Sequence, residues 1–333
     1  MVPISLIISL EFVKLCQAAW IKADEFMYNK EIKKGVNVLS SSLNEELGQV
    51  AYIFSDKTGT LTSNVMVFKF ALIGNTLYGD TSILGDFQEP TEAPERRKYK
   101  LSSKVTFQDL KGGVEYDFND RELNKILRDE DFKGVPIGLK IKDSCGENNQ
   151  PYIYAHQTDL VDDFFYNLAL CNECLIERDD DDEILAYQGP SPDEITLVTA
   201  AKELGFQYEG NDTDSKTCNR LGPQKFKVHR WIEFNSDRKR ASIILTGPDG
   251  IIRHYMKGAD SIMLARMAPA DQNPFIEKNK KYINEFSSKG FRTLAYGMKV
   301  YTKQELEVIL KKINETENME EGRDEALDLL YDG

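Results

Sequence analysis

Residues 50–54, Val-Ala-Tyr-Ile-Phe, form an unbroken, partly β-branched apolar run that stops at Ser55 and Asp56. Such a run suits a strand covered on both faces, as in parallel sheets flanked by helices. Ligands of those sheets bind beyond the carboxyl ends of the strands, which is where Asp56 and the stretch Lys57-Thr58-Gly59-Thr60-Leu61-Thr62 fall. A carboxylate placed there can attack the γ-phosphorus of a nucleoside triphosphate, provided the phosphate charge is neutralised and the oxygen is held in line. Asp56 is then the nucleophile, Lys57 a counter-charge and the Thr58 carbonyl a metal ligand. Gly59 lets the backbone approach, and Thr60 can hydrogen-bond the transferred group. The alternative is a strand that runs into an Asx-type turn.

The rest of the chain reads as a different architecture. Residues 65–79 give two short strands turned at Gly74-Asn75, and residues 80–150 read as polar surface insertions around one short helix near 120–128. Helical patterns follow at 160–176 and 191–206, with a strand at 184–189 between them. The second helix carries Ser191 as its N-cap, Pro192 as its first helical residue and Glu194 three after the cap. Three strand candidates joined by turns, 227–236, 241–250 and 250–259, argue for antiparallel pairing. A helix at 275–289, a strand at 291–300 and a charged helical tail at 303–333 complete the pattern. The fold class is thus α/β, a partial parallel sheet around Asp56, with a large antiparallel α+β module inserted after it.

Residues 2–21 are mostly apolar and about as long as a bilayer-spanning helix, ~20 residues, with Glu11 and Lys14 spaced to pair on one face. No basic stretch precedes them, so a signal peptide fits poorly. The polar segment after Trp20 reads as a juxtamembrane helix and a loop, with Ser42 or Asn44 capping the turn at 43–48. A formal charge of −13 argues against nucleic acid as the main partner, and the acidic run 179–183 reads as a solvated loop. The five scattered cysteines suggest no disulfide framework and a reducing environment. Cys171 and Cys174 form a lone CxxC, which without a second pair or nearby histidines reads as core packing before zinc or redox chemistry.

DKTGTLT is the phosphorylation signature of the P-type ATPases, and Pro3-Ile4-Ser5-Leu6 resembles the PISL of their type IV branch, the phospholipid-transporting flippases. Cation pumps usually carry a PEGL-like sequence there. LNEELGQVAYIFSDKTGTLT, YQGPSPDE, FNSDRKRASII, KGAD and FRTLAYG also resemble that branch, in its order. The likeness covers most of residues 1–300 and is weakest over 80–150. It implies a partial transmembrane helix at 1–22, a cytosolic stalk at 23–49 and the N-terminal part of a haloacid-dehalogenase-like phosphorylation domain at 50–69. A nucleotide-binding domain at 70–300 and the start of a return into the phosphorylation domain at 301–333 would follow. The implied reaction is ATP- and Mg²⁺-dependent formation of an aspartyl-phosphate at Asp56, coupled to lipid translocation. Asp56, Lys57 and Thr58 would meet the phosphate end, with Asp56 and Thr58 on the metal. Phe234 would stack on adenine, Glu194 would contact it, and Lys257 and Arg292 would hold the nucleotide, with Ser236 and Lys239 as weaker contacts. Ile4 would border the lipid path. The implied partners are phospholipid and the membrane, an accessory subunit stays open, and residues from about 23 onward would be cytosolic. Taken singly, Phe234 also reads as a core ring, Glu194 as a capping acid, and Lys257 and Arg292 as solvated charges.

The sequence also departs from the family. It contains no GDGxNDxxM-like motif, no later TGD and no DGET-like loop upstream. The resemblance therefore implies a fragment without the actuator domain, most membrane helices and the C-terminal half of the phosphorylation domain, one that binds ATP weakly and is inactive alone. Two other readings compete: a haloacid-dehalogenase-type phosphatase, and a non-catalytic ATP-binding module. Such phosphatases commonly place a second aspartate two residues after the first, where this chain has Thr58. The lipid headgroup and the membrane compartment are not legible.

Overall fold

The computed structural model describes residues 3–30, 33–41, 43–57, 59–62, 65–80, 118, 120–129, 131–269, 272–319 and 322–331. It divides into two units, Met1–Asn64 and Val65–Gly333.

The first unit opens with helix α1, Ile4–Ala23, which follows Pro3 and buries none of its residues. It is long and apolar enough to cross a membrane. Lys14 and Glu11 pair at 3.7 Å. The expected juxtamembrane helix is reduced to a single 3-10 turn, Glu25–Met27, capped by the Asp24 carboxylate on the Phe26 amide. Asn29 and Lys34 then pair backbone to backbone, which no helix allows. A short helix α2, Leu43–Leu47, follows; its expected cap Ser42 lies outside the described residues, as does the Asn44 side chain. The parallel strand expected over 50–54 is not among the described strands: residues 50–56 have no regular structure. Tyr52, Ile53 and Phe54 are 81%, 85% and 96% exposed. A strand buried on both faces needs a hydrogen-bonded neighbour on each edge, and no described strand pairs with this segment.

The second unit begins with a hairpin, β1 (Phe70–Ile73) and β2 (Thr76–Gly79), turned where expected. Gly79 has φ +122°, and a Cβ there would sit 2.3 Å from the Lys69 carbonyl, so no other residue fits. Its amide donates to Asp120, whose other oxygen caps helix α3, Arg121–Arg128, on Leu123. A second hairpin pairs β3 (Pro136–Cys145), inside the stretch read as insertions, with β4 (Gln150–His156) at its end. Its alternation is broken by register shifts, which hides a period of two. Helix α4, Gln157–Leu170, ends before the CxxC. There Asn172 donates to the Ala169 carbonyl and accepts from the Cys174 amide, bending the chain out of the helix. A small hairpin, β5 (Leu175–Arg178) and β6 (Ile184–Gln188), leads to helix α5, Pro192–Glu203, whose Ser191 cap bonds the Glu194 amide.

A six-stranded antiparallel sheet follows: β7 (Gln207–Asn211), β8 (Ser215–Asn219), β9 (Pro223–Asn235), β10 (Arg240–Thr246), β11 (Ile252–Gly258) and β12 (Ala295–Tyr301). Its strand order is that of the chain. Helices α6 (Asp260–Leu264) and α7 (Ile276–Ser288) sit between β11 and β12, and α8 (Lys303–Glu317) and α9 (Arg323–Tyr331) follow β12. Strand β10 is buried along its whole length because both faces are covered. Ile243 and Leu245 join Val161, Phe165 and Leu168 of α4 in the main core. Ile244 faces the other way, onto Tyr301 and Leu306. Burying side chains of this size stabilises by about 2 kcal/mol each, so β10 anchors the domain.

A polar hub ties α4 to the sheet and to the β3–β4 hairpin. The buried Asp163 carboxylate accepts from Tyr154 at 2.9 Å, Tyr255 at 2.7 Å, Arg253 Nε at 3.1 Å, and the Tyr152 hydroxyl. Burial, then the Asp163 charge, push all three phenols up.

Candidate functional site

In the second unit, stretches distant in sequence converge at one end of the sheet face that carries α4 and α5. The N-cap at Ser191 starts α5 so that Asp193 and Glu194 occupy its first turn, where acidic groups also suit the helix dipole. Glu194 Oε1 accepts from Lys257 Nζ at 2.5 Å, and both side chains are only 12% exposed. Asp193 Oδ2 meets Arg292 Nη1 at 2.9 Å, with Arg292 itself largely exposed. Lys257 lies on β11 opposite Ala241 of β10. On the other side of Ala241, the β9 register shifts so that Glu233 and Phe234 stand together against one residue. This is a β-bulge, a device that re-aims a side chain. Phe234 is 61% exposed, so it is not a core ring.

Gly258 closes the same corner. A Cβ there would meet the Lys239 carbonyl and the Arg240 Cβ at 2.7 Å each, so the β9–β10 turn packs directly on the KGAD backbone. That turn carries Ser236 and Lys239, both exposed. Lys239 has φ +54° and its carbonyl accepts from the Ala259 amide at 3.0 Å. Asp260 accepts from Thr293 at 3.0 Å, which joins the KGAD corner to Arg292.

Three residues near this corner carry no motif signal. Lys216 of β8 is buried and donates to the carbonyls of Leu170 at 3.0 Å and Asn172 at 2.5 Å. Its ammonium lies over the Trp231 and Tyr208 rings, and burial pushes it down to about 8. Trp231 donates to Glu173 at 2.6 Å. Only the alternation of β8 hints that Lys216 points inward, and alternation does not tell one face from the other. The cysteines of the CxxC belong to separate clusters, Cys171 in the main core and Cys174 beside Tyr187 and Tyr208. Burial raises their thiols to about 11 and 12. That matches packing.

In the first unit, Asp56 and Lys57 are exposed. The Lys57 carbonyl accepts from the amides of Leu61 at 3.0 Å and Thr62 at 3.1 Å, and Gly59 at φ +76° makes the turn. Asp56 thus directly precedes a loop closed on the Lys57 carbonyl. Thr58 lies outside the described residues. Among the described residues no group of three or more histidine, cysteine or acidic side chains is placed to hold a metal. Ile4, the first residue of α1, is exposed.

Residues 161–323, which span α4 to the start of α9, match the family P-type ATPase, cytoplasmic domain N. The whole chain aligns with phospholipid-transporting ATPases. It is 35% identical over 100% of its length to phospholipid-transporting ATPase IC of Xenopus tropicalis. To the protein of the same name from Homo sapiens it is 32% identical over 100% of its length, and to phospholipid-transporting ATPase ID of Mus musculus 32% over 99%. Over its whole length the chain is similar to the phospholipid-transporting P-type ATPases. It spans 23%, 24% and 25% of the length of those three curated relatives. Within the family match fall Glu194, Phe234, Ser236, Lys239, Lys257 and Arg292, which the second unit brings to one corner. Asp56, Lys57, Thr58 and Ile4 lie in the first unit, outside the domain N match.

Proposed function

We propose that this chain carries the phosphorylation loop and the nucleotide-binding domain of an ATP-driven phospholipid flippase. The reading is supported above all by the pairing of Glu194 with Lys257, 63 residues apart in the chain, beside an exposed Phe234. An adenine ring laid on Phe234 gains stacking area that water otherwise covers. Glu194 and Lys257 hold one another in place before the ligand arrives, which lowers the ordering cost of binding. Arg292, exposed and anchored by Asp193, is free to turn its remaining donors to phosphate oxygens.

For the reaction itself, the Asp56 carboxylate is the nucleophile that attacks the γ-phosphorus of ATP. An O–P bond forms, the bond to the ADP oxygen breaks, and the aspartyl-phosphate stores the energy that drives lipid movement. Lys57 offsets phosphate charge. Asp56 and the Thr58 carbonyl are the residues assigned to Mg²⁺, which when bound neutralises charge on the transferring group. In this reading residues 50–54 take their place in a haloacid-dehalogenase-like parallel sheet, and Ile4 borders the lipid path. Helix α1 lies in the membrane with residues from about 23 onward in the cytosol, a placement favoured by Lys22, Lys30, Lys33 and Lys34 beyond its apolar stretch. Because Asp56 is one carboxylate for an ion that takes six ligands, we expect the 333-residue chain alone to bind ATP and not to phosphorylate itself.

Titrating the chain with ATP, with and without Phe234→Ala, tests the nucleotide reading; a chain that binds no ATP overturns it. Trapping of labelled acyl phosphate tests the rest. Joined to the remainder of such a transporter, the chain incorporates phosphate only with aspartate at 56, and incorporation by Asp56→Asn sinks the assignment.

A further inference from the structure

Nothing in the nucleotide assignment uses Lys216, yet it is a buried cation next to that corner. Its two carbonyl partners, Leu170 and Asn172, lie where α4 gives way to the turn at 171–174. A lysine bound to the last carbonyls of a helix fixes how the chain leaves it. Here it also packs 4.9 Å from the centroid of Trp231, an additional attraction that a cation has for an aromatic face.

The turn so fixed presents Glu173. Its carboxylate accepts from Trp231 Nε1 at 2.6 Å, and its amide donates to Glu194 Oε2 at 3.4 Å. Glu194 in turn holds Lys257. Trp231 precedes by two residues the bulge at Glu233 and Phe234. Lys216 therefore reaches both halves of the corner, the ion pair through the turn and the aromatic through β9, while touching neither Phe234 nor Lys257.

Resting on the nucleotide reading above, we infer that Lys216 is a positioning residue of the nucleotide site: its ammonium sets the 171–174 turn and Trp231, and through them Glu194 and Phe234. The charged and titratable groups that face it are Cys171, Cys174 and Glu173 from the turn, Glu194 from α5, Lys257 from β11 and Tyr208 from β7. The thiols and the Tyr208 phenol are pushed up to about 11 or 12 by burial, so they stay protonated through pH 9. Lys216, pushed down to about 8 by burial, loses its charge within that range. With the charge go the attraction to Trp231 and the stronger hydrogen bonds to the turn.

The chain has two tryptophans, so Trp20→Phe leaves Trp231 as a single fluorescent reporter. In that background the Trp231 emission should titrate with a midpoint near pH 8, and Lys216→Met should abolish the transition. The Kd for ATP should rise about tenfold between pH 7 and pH 9, the scale of one charge-assisted hydrogen bond. Lys216→Met at pH 7 should bind as the parent does at pH 9, and Lys216→Arg should keep the pH 7 affinity across the range. A Trp231 transition that survives in Lys216→Met, or equal ATP affinity in parent and Lys216→Met, overturns the inference. If Lys216→Met does not fold, the parent alone decides: no change in emission or affinity around pH 8 overturns it. A parent that binds no ATP at any pH brings down the nucleotide reading, while the Trp231 emission still reports whether Lys216 controls the turn.

Discussion

Lys257→Met removes the cation from its pair with Glu194. At 2.5 Å and an effective dielectric near 20, the mutual attraction is about 7 kcal/mol. Taking the two ions out of water costs several kcal/mol each, so the intact pair adds little net stability. The cost of the single substitution comes from what it leaves behind, a carboxylate 12% exposed with only the long bond from the Glu173 amide to satisfy it. That orphan costs about 3 kcal/mol. Adding Glu194→Leu removes it, and the double variant should recover to within about 1 kcal/mol of the parent. Urea unfolding of parent, both single variants and the double variant closes the cycle, with ATP titration in parallel. Stability should return in the double variant and nucleotide binding should not. A Lys257→Met chain as stable as the parent, or a double variant showing the sum of two losses, refutes the reasoning that the pair is mostly covered and mutually dependent.

Phe234→Ala should weaken ATP binding by about 1–3 kcal/mol and leave the unfolding midpoint unchanged, since the ring is 61% exposed; a shifted midpoint with unchanged affinity would return Phe234 to the core. Asp163→Ala strands three tyrosine hydroxyls and Arg253 Nε in a buried site and should cost about 4 kcal/mol or more, read as a lowered melting temperature. A loss below 1 kcal/mol would mean the hub is wet. For Lys216 the folded pKa of about 8 lies below the ordinary 10.5, so between those values the unfolded chain binds the extra proton and stability rises with pH. Lys216→Met should flatten that rise by about 2 kcal/mol between pH 8 and 10, measured by chemical unfolding. A rise of equal size in the variant assigns it to another group.

Much of the second unit was legible because its elements carry local signals. Ser191-Pro192 starts α5 whatever surrounds it, and Gly74-Asn75 turns β1 into β2. Where the structure departs from expectation, a tertiary partner decides. Residues 160–176 are apolar at helical spacing, yet α4 ends at Leu170 because Asn172 and Lys216 claim the carbonyls that a further turn would use. Strand β3 was hidden by register shifts. The run at 50–54 has the composition of a buried strand, and composition supplies no neighbour for it to pair with.

The corner's residues divide on the same line. Phe234, Arg292, Ser236 and Lys239 are exposed, and an exposed aromatic on a bulge is informative because a core would have covered it. In the proposed nucleotide reading such residues meet the ligand, so motif and order along the chain are enough to point to them. Glu194 and Lys257 are mostly covered, Lys216 is buried, and all three are already paired within the protein. Their role depends on which carboxylate or carbonyl lies across the gap, and that is settled by the crossing of α4, α5 and β11. A buried lysine in an alternating strand looks like any other lysine in a sequence. Only the packing shows that its ammonium meets the Leu170 and Asn172 carbonyls and the Trp231 ring, the contacts from which its positioning role is inferred.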